Sequence, residues 1–79
     1  MRLEFDRQAD AIYIYLTHEP YSYGQDLDDL RRVDFSADGK PMGIELLCVR
    51  KGIDLRDLPS RAEVEIELAK LGKKVKILA

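Results

Sequence analysis

Few side chains in this sequence are chemically suited to catalysis or metal binding. His18 is the single histidine, and an imidazole can act as a general base because it titrates near neutral pH. No serine or cysteine nucleophile stands at a recognisable spacing from it, so an exposed loop histidine is the favoured interpretation. With one cysteine and one histidine, the chain also lacks the ligands of a zinc site.

An acidic cluster precedes the middle of the chain, and it consists of Asp26, Asp28, Asp29 and Asp34. Carboxylate oxygens suit Mg²⁺ or Ca²⁺, but this spacing matches no calcium-binding loop. We favour a solvated charge run on an edge strand, which discourages edge-to-edge pairing between molecules.

Three further carboxylates, Asp6, Asp10 and Asp38, fall in two predicted turns. A sequential meander would bring both turns to one end of the sheet, where paired carboxylates can do acid–base work. Turn chemistry already explains all three, because aspartate hydrogen-bonds its own backbone in such turns. We therefore expect no catalytic residue here, and the chain is not predicted to be an enzyme.

Tyrosines and lysines are the candidates for binding. The possible protein interface comprises Tyr13, Tyr15, Tyr21 and Tyr23, because tyrosine is enriched where proteins meet. The alternative is that these rings pack into the core. The second half of the chain contains a group of basic residues, namely Arg50, Lys51, Lys70, Lys73, Lys74 and Lys76. These side chains can contact phosphates, or they can keep the surface soluble and complement a helix dipole. No helix-turn-helix accompanies that group, which disfavours nucleic-acid binding.

Alternating apolar residues predict the elements that position these side chains. Strands are expected over residues 2–5, 11–16, about 27 or 30 to 35, and 41–48, which form two hairpins within residues 3–48. The second strand is apolar on both faces, so it should lie centrally. In the fourth strand, Met42, Ile44 and Leu46 should share one face. Gly39 should close the second turn in the left-handed conformation.

The last third of the chain predicts a helix. Ser60 and Glu63 match a capping box and Gly72 a helix stop, within residues 60–72. Residues 63–68 alternate with period two, so a strand is the rival interpretation. A helix would show two apolar stripes, one facing the sheet (Val64, Leu68 and Leu71) and one open to a second subunit (Ala62, Ile66 and Ala69). Residues 73–79 form a tail or a short final strand.

The length and composition of the chain limit the classes of protein to which it can belong. Seventy-nine residues make one domain, and one cysteine allows no internal disulfide, which points to a reducing cytoplasm. No signal peptide or membrane span is expected. The formal charge of −2 divides into −5 for residues 1–39 and +3 for residues 40–79. Abundant charge, no asparagine and two glutamines are typical of a thermophilic source.

Two motifs carry a resemblance to a known family: Phe5-Asp6-x-x-Ala9-Asp10-Ala11-x-Tyr13-Ile14 and Val33-Asp34-x-x-x-Asp38-Gly39-x-x-x-Gly43-Ile44-Glu45-Leu46-Leu47. Together they resemble domain-of-unknown-function family 2283, a group of small bacterial and archaeal proteins. The resemblance covers roughly residues 3–48 and implies a compact antiparallel sheet, no agreed catalytic residues, and an antitoxin-like partner role. Tyr15 departs from the charged residue that is more usual there, which makes that sheet face more apolar.

We therefore expect an α+β fold, in which a four-stranded antiparallel β-meander has a C-terminal α-helix packed on one face. The expected function is a small cytoplasmic protein-interaction module, homodimeric and antitoxin-like, without a cofactor, a metal or a membrane. The alternative is nucleic-acid binding through the basic residues, and an enzyme that uses the turn carboxylates is the least favoured class.

Overall fold

The computed structural model describes the backbone of residues 1–79 and every side chain except that of Lys74. The expectation that Lys74 contacts nucleic acid therefore lies outside the described residues. One antiparallel sheet contains five strands in the spatial order β1-β2-β5-β4-β3. The strands are β1 (Arg2–Asp6), β2 (Ala11–Tyr15), β3 (Tyr23–Asp26), β4 (Arg31–Phe35) and β5 (Pro41–Leu47).

The α+β class is confirmed, but the sheet has five strands, so the expectation of four strands is wrong. The additional strand is β3, which pairs with β4 in the segment expected to be a loop. Its sequence, Tyr-Gly-Gln-Asp, has no apolar alternation and contains a glycine, so no local pattern indicates a strand. Hydrogen bonding to β4 supplies the extended conformation, and Asp28 closes the intervening turn by accepting a hydrogen bond from the Leu30 amide at 3.0 Å.

The expected sequential meander is also wrong, because β2 pairs with β5 rather than with the next strand along the chain. The chain leaves β2 and crosses to the far edge of the sheet before it forms β3, β4 and β5. In this antiparallel pairing, Ala11 of β2 is the partner of Leu47 in β5, and Tyr15 is the partner of Gly43. The turn before β2 and the turn before β5 consequently lie at opposite ends of the sheet, so the turn carboxylates do not meet.

Side-chain alternation explains which face of the sheet is buried. Ile12 and Ile14 of β2 are fully buried, whereas Tyr13 and Tyr15 point to the other face and remain partly accessible. The central position expected for β2 is confirmed, since it lies between β1 and β5. Gly39 adopts the expected left-handed conformation, with φ of 82°.

After β5, the chain covers the buried face. A short 3-10 helix (Val49–Lys51) leads into a loop, and α1 (Arg61–Ala69) follows. Val64 and Leu68 of α1 are fully buried in one core cluster with the isoleucines of β2. The helix, rather than the rival strand, is therefore confirmed for this segment. The second stripe expected on α1 is exposed, with 63% of Ile66 accessible.

Both ends of α1 differ from expectation. Ser60 adopts a left-handed conformation, with φ of 53° and ψ of 38°, and its side chain makes no capping hydrogen bond. A capping serine needs an extended backbone to aim its hydroxyl at the helix amides, so the predicted capping box is wrong. The α-helix ends at Ala69, and Gly72, with φ of 63°, begins a second 3-10 helix (Gly72–Lys74).

The chain ends beside the loop that follows the first 3-10 helix. Ile77 forms a single parallel bridge with Ile53, which is all that forms of the predicted final strand. The Leu78 amide donates to the Ile53 carbonyl at 2.8 Å, and the Leu55 amide donates to the Ala79 carbonyl at 2.8 Å. Of the helices in the described part of the chain, none has the length and apolar character needed to cross a membrane.

Candidate functional site

The sheet face opposite α1 carries most of the polar and aromatic side chains singled out above, and we call it the open face. Cross-strand pairing arranges it in two rows. The first row is Glu4, Tyr13, Glu45, Arg32 and Asp26, and the second row is Arg2, Tyr15, Gly43, Asp34 and Gly24. Side chains on one face of neighbouring strands lie close enough to interact.

Tyr13, Asp34 and Gly43 form the centre of the open face. The Tyr13 hydroxyl donates to Asp34 Oδ2 at 2.7 Å. The tyrosine lies directly over Gly43, where an added Cβ would stand 2.0 Å from the hydroxyl oxygen. Burial raises the pKa of Tyr13 above its usual value, and the hydrogen bond to Asp34 and the charges of Asp34 and Glu45 raise it further. The hydroxyl is therefore a neutral hydrogen-bond donor at physiological pH.

Arg32 continues this chain of contacts towards the sheet edge. Its Nε donates to Asp34 Oδ1 at 3.1 Å, and its Nη2 donates to the Tyr21 hydroxyl at 3.1 Å. Gly24 lies underneath, because an added Cβ there would stand 2.2 Å from the guanidinium. The glycine in β3 thus leaves room for an arginine that lies flat on the sheet.

Tyr15 extends the contacts in the opposite direction. Its hydroxyl donates to Glu4 Oε1 at 2.8 Å, and this hydrogen bond raises the pKa of Tyr15. The Arg2 guanidinium lies 4.1 Å from the centre of the Tyr15 ring, which is a cation–π contact. Tyr13 and Tyr15 pack edge to face with ring centres 4.7 Å apart. The aromatic rings are consequently fixed by neighbours on both sides.

A bulge brings Met42 to the open face as well. Phe35 pairs with Pro41 and Asp34 pairs with Gly43, so Met42 is the extra residue of β5. Its sulfur lies 3.8 Å from the Tyr13 hydroxyl, and the expectation that it shares a face with Ile44 and Leu46 is wrong. The result is a shallow depression of about 350 Å³ lined by Tyr13, Tyr15, Tyr21, Asp34 and Met42.

The structure divides the four candidate tyrosines between two faces. Tyr13, Tyr15 and Tyr21 share the open face. Tyr23 instead stacks on Phe35 on the α1 side of the sheet, with ring centres 5.1 Å apart. Tyr21 precedes β3 and its hydroxyl contacts Arg32 on the open face, whereas Tyr23 is the first residue of β3 and follows the alternation of that strand to the α1 side. They therefore cannot form one contact surface.

The candidate basic residues are only partly free. Arg50 pairs with Asp10 at 3.6 Å, and Lys70 pairs with Glu67 at 2.9 Å. Lys51 lines a cavity of about 410 Å³ at the sheet end, together with several carboxylates and leucines. Lys73 and Lys76 are exposed. The carboxylates beside the lysines weaken any attraction for phosphate at this surface.

Most of the carboxylates considered for chemistry have structural partners, namely Asp6, Asp10, Asp28, Asp34 and Asp38. Asp28 is held by the largely buried Arg31 at 2.9 Å, and this hydrogen bond lowers the pKa of Asp28. Asp6 accepts a hydrogen bond from the Ala9 amide at 3.0 Å, and Asp10 accepts one from the Arg50 amide at 3.0 Å. Within the residues that the structure describes, no three His, Cys, Asp or Glu side chains are grouped to hold a metal.

Arg32, Met42 and Gly43 of the open face were not predicted to be site residues from the sequence. Asp34 was expected in a solvated charge run on an edge strand, and that expectation is wrong, because Asp34 is buried on β4, which lies between β5 and β3. The only available signal was the motif pair, since Tyr13 stands in the first motif and Asp34 and Gly43 stand in the second. His18, by contrast, is exposed in the loop after β2 and lines a separate cavity with Tyr15 and Tyr21.

Comparison with known proteins identifies the family without identifying an activity. No curated protein and no solved structure gives a significant match to the chain. A family model does match, over residues 2–50, and its description is "protein of unknown function (DUF2283)". The match covers well over half of the chain and includes all five strands, as well as both motifs that converge at Tyr13. The chain therefore belongs to the DUF2283 family.

Proposed function

We propose that this protein is a protein-interaction module whose contact surface is the open face. The observation that supports the proposal is the chain of contacts from Arg2 through Tyr15, Tyr13 and Asp34 to Arg32. Tyrosine and arginine are among the residue types that are enriched at the energetically dominant positions of protein interfaces. Here they form a continuous surface, on which Arg2 is exposed and Tyr13, Tyr15 and Arg32 are partly accessible.

The energetic advantage of this surface is that its side chains are already ordered. Binding normally costs about 0.5–1.5 kcal/mol for each flexible side chain that becomes immobilised. On the open face, the hydroxyls of Tyr13, Tyr15 and Tyr21 already have polar partners, and Gly24 and Gly43 let the larger groups lie flat. A partner would therefore meet a surface that needs little rearrangement.

Capture of partners from source cells tests the proposal directly. The tagged wild-type protein is compared with a Tyr15→Ser/Tyr21→Ala double variant and with Tyr23→Ala, the matched control on the other face. We expect one stoichiometric protein partner, which the double variant loses and the control retains. Equal capture by all three proteins, with folding checked by circular dichroism, would show that the open face is not the contact surface.

The expected homodimer stays a prediction, and its surface is a separate question. The open face has an area of roughly 400 Å², because it is five strands wide, at about 4.8 Å for each strand, and about five residues long, at about 3.3 Å for each residue. A stable interface usually needs about 800 Å² on each partner. A homodimer would thus need surface beyond the open face, and light scattering would detect it as twice the 9.1 kDa chain mass.

The antitoxin-like role and the cytoplasmic location also stay predictions. An antitoxin-like protein should neutralise a toxic partner through a stable complex, so co-expression of the captured partner with and without this protein would test the role. Growth arrest by the partner alone, relieved by wild-type protein and not by the Tyr15→Ser/Tyr21→Ala variant, is the expected result.

A further inference from the structure

We infer that the open face recognises an extended, arginine-containing segment of a partner protein, with one arginine side chain seated in the depression between Tyr13, Tyr15 and Tyr21. The inference rests on the proposed function and adds the chemistry of the partner. It is carried by the charge of the face, the lining of the depression and the size of the surface.

The open face is negatively charged although charges of both signs are present. Its two rows contain four carboxylates and two guanidinium groups, which leaves a formal charge of −2. Both guanidinium groups are already engaged, Arg2 on the Tyr15 ring and Arg32 with Asp34 and Tyr21. The other carboxylates of the face are Glu4, Asp26 and Glu45. A cationic partner is therefore attracted, while phosphate groups are repelled.

The depression has the composition of a guanidinium site. Aromatic ring faces attract cations, and Tyr15 already holds one guanidinium in this way at 4.1 Å. Asp34 contributes a carboxylate to the lining, with 12% of its side chain accessible. Each of its oxygens accepts one hydrogen bond, from Arg32 or from Tyr13. A carboxylate oxygen can accept two, so both retain acceptor capacity for an incoming arginine.

The dimensions favour an extended segment over a second copy of this chain. Five strands at about 4.8 Å each span roughly 24 Å across the sheet, which is the length of about seven extended residues. An isologous pair would bring two negatively charged faces together across only about half of the usual interface area. A short basic strand or loop instead neutralises the face and fits its width.

Titration of short peptides into the isotopically labelled protein tests the inference by NMR. The probe is an eight-residue peptide of alternating glycine and arginine, and the controls replace arginine with lysine, glutamate or leucine. The protein variants are Tyr15→Leu and Tyr21→Leu, which retain apolar surface without the ring, and Tyr23→Leu as the control on the α1 side. Glu45→Gln removes one charge from the open face, and Glu65→Gln removes one from the exposed side of α1.

We expect the arginine peptide to shift the resonances of Tyr13, Tyr15 and Gly43. Loss of a ring should weaken binding by about two- to fivefold at each position, the usual size of an exposed cation–π contact. Tyr23→Leu and Glu65→Gln should leave the affinity unchanged, whereas Glu45→Gln should weaken binding and reduce its salt dependence.

Two results would overturn the inference. One is binding of the arginine peptide elsewhere, for example at the carboxylates of the sheet end, with no shift at Tyr13. The other is tighter binding of the leucine peptide to the open face, which would leave the interaction module intact but give it an apolar partner. Failure of the proposed function would give a different result, because the Tyr15→Ser/Tyr21→Ala variant would then capture the partner as well as the wild-type protein does.

Discussion

Substitution of Gly43 by alanine gives the sharpest test of how the open face is built. Gly43 has no left-handed backbone conformation to lose, so an alanine is allowed by the local geometry. The obstacle is Tyr13, whose hydroxyl oxygen and Cζ would lie 2.0 and 2.6 Å from the added Cβ. The tyrosine would have to move, and its 2.7 Å hydrogen bond to Asp34 would break.

Three contributions determine how much Gly43→Ala changes the free energy of unfolding. A hydrogen bond to a charged group contributes about 1.5–3 kcal/mol to stability, and forced repacking costs about 1–3 kcal/mol. Partial exposure of Tyr13 lets its ring swing outward, which limits the second contribution. Replacing glycine stabilises by about 0.4–1 kcal/mol through the unfolded chain. We therefore expect Gly43→Ala to lower the free energy of unfolding by about 1–3 kcal/mol.

The matched comparison is the same substitution in a Tyr13→Ala background, measured by urea unfolding of all four proteins. Without the ring there is no obstacle, so Gly43→Ala should become neutral or stabilising by up to about 1 kcal/mol. An equal loss of stability in both backgrounds would refute the reasoning, because the constraint on Gly43 would then have nothing to do with Tyr13.

Four further outcomes are expected. The pKa of Tyr13 is raised on folding. The stability that this shift contributes is complete below the unfolded pKa of about 10 and is lost as the pH rises through the folded pKa. The Tyr13→Phe variant should lack this loss of stability when its unfolding is measured at alkaline pH. Arg31→Leu should cost about 2–3 kcal/mol in urea unfolding, because the largely buried guanidinium joins the turn before β4 to the Asp54 carbonyl at 3.1 Å. Ser60→Ala should cost less than about 0.5 kcal/mol, since this hydroxyl caps nothing, whereas a true cap would cost about 1 kcal/mol. Fluorescence anisotropy at low salt should show no duplex DNA binding; steeply salt-dependent binding that Lys73→Glu abolishes would support the nucleic-acid alternative instead.

Much of the architecture could be predicted from short stretches of sequence. Ile12 and Ile14 alternate with Tyr13 and Tyr15, and this period predicts that the two pairs lie on opposite faces of the sheet. Gly39 closes its turn as expected, and Val64 and Leu68 face the core. Each of these features depends on residues within one turn, one strand or one helix, so local chemistry was sufficient.

Features that depend on pairing between distant segments could not be predicted in the same way. The strand Tyr23–Asp26 exists because β4 supplies its hydrogen bonds, and nothing in its own four residues indicates a strand. The neighbour of β2 is β5, some thirty residues further along the chain. That choice separates the two carboxylate-containing turns and removes the geometry that acid–base chemistry would have needed.

The candidate site shows the same division. By itself the sequence determined that Tyr13 and Tyr15 share a sheet face, that tyrosines are the residues to consider for binding, and which family the two motifs resemble. Only the tertiary structure placed Asp34 under the Tyr13 hydroxyl, turned Met42 to the open face through a bulge, and left Gly43 without a side chain where a ring had to lie. Cross-strand register decides those contacts, and register is set by the summed pairing of the whole sheet rather than by any one segment.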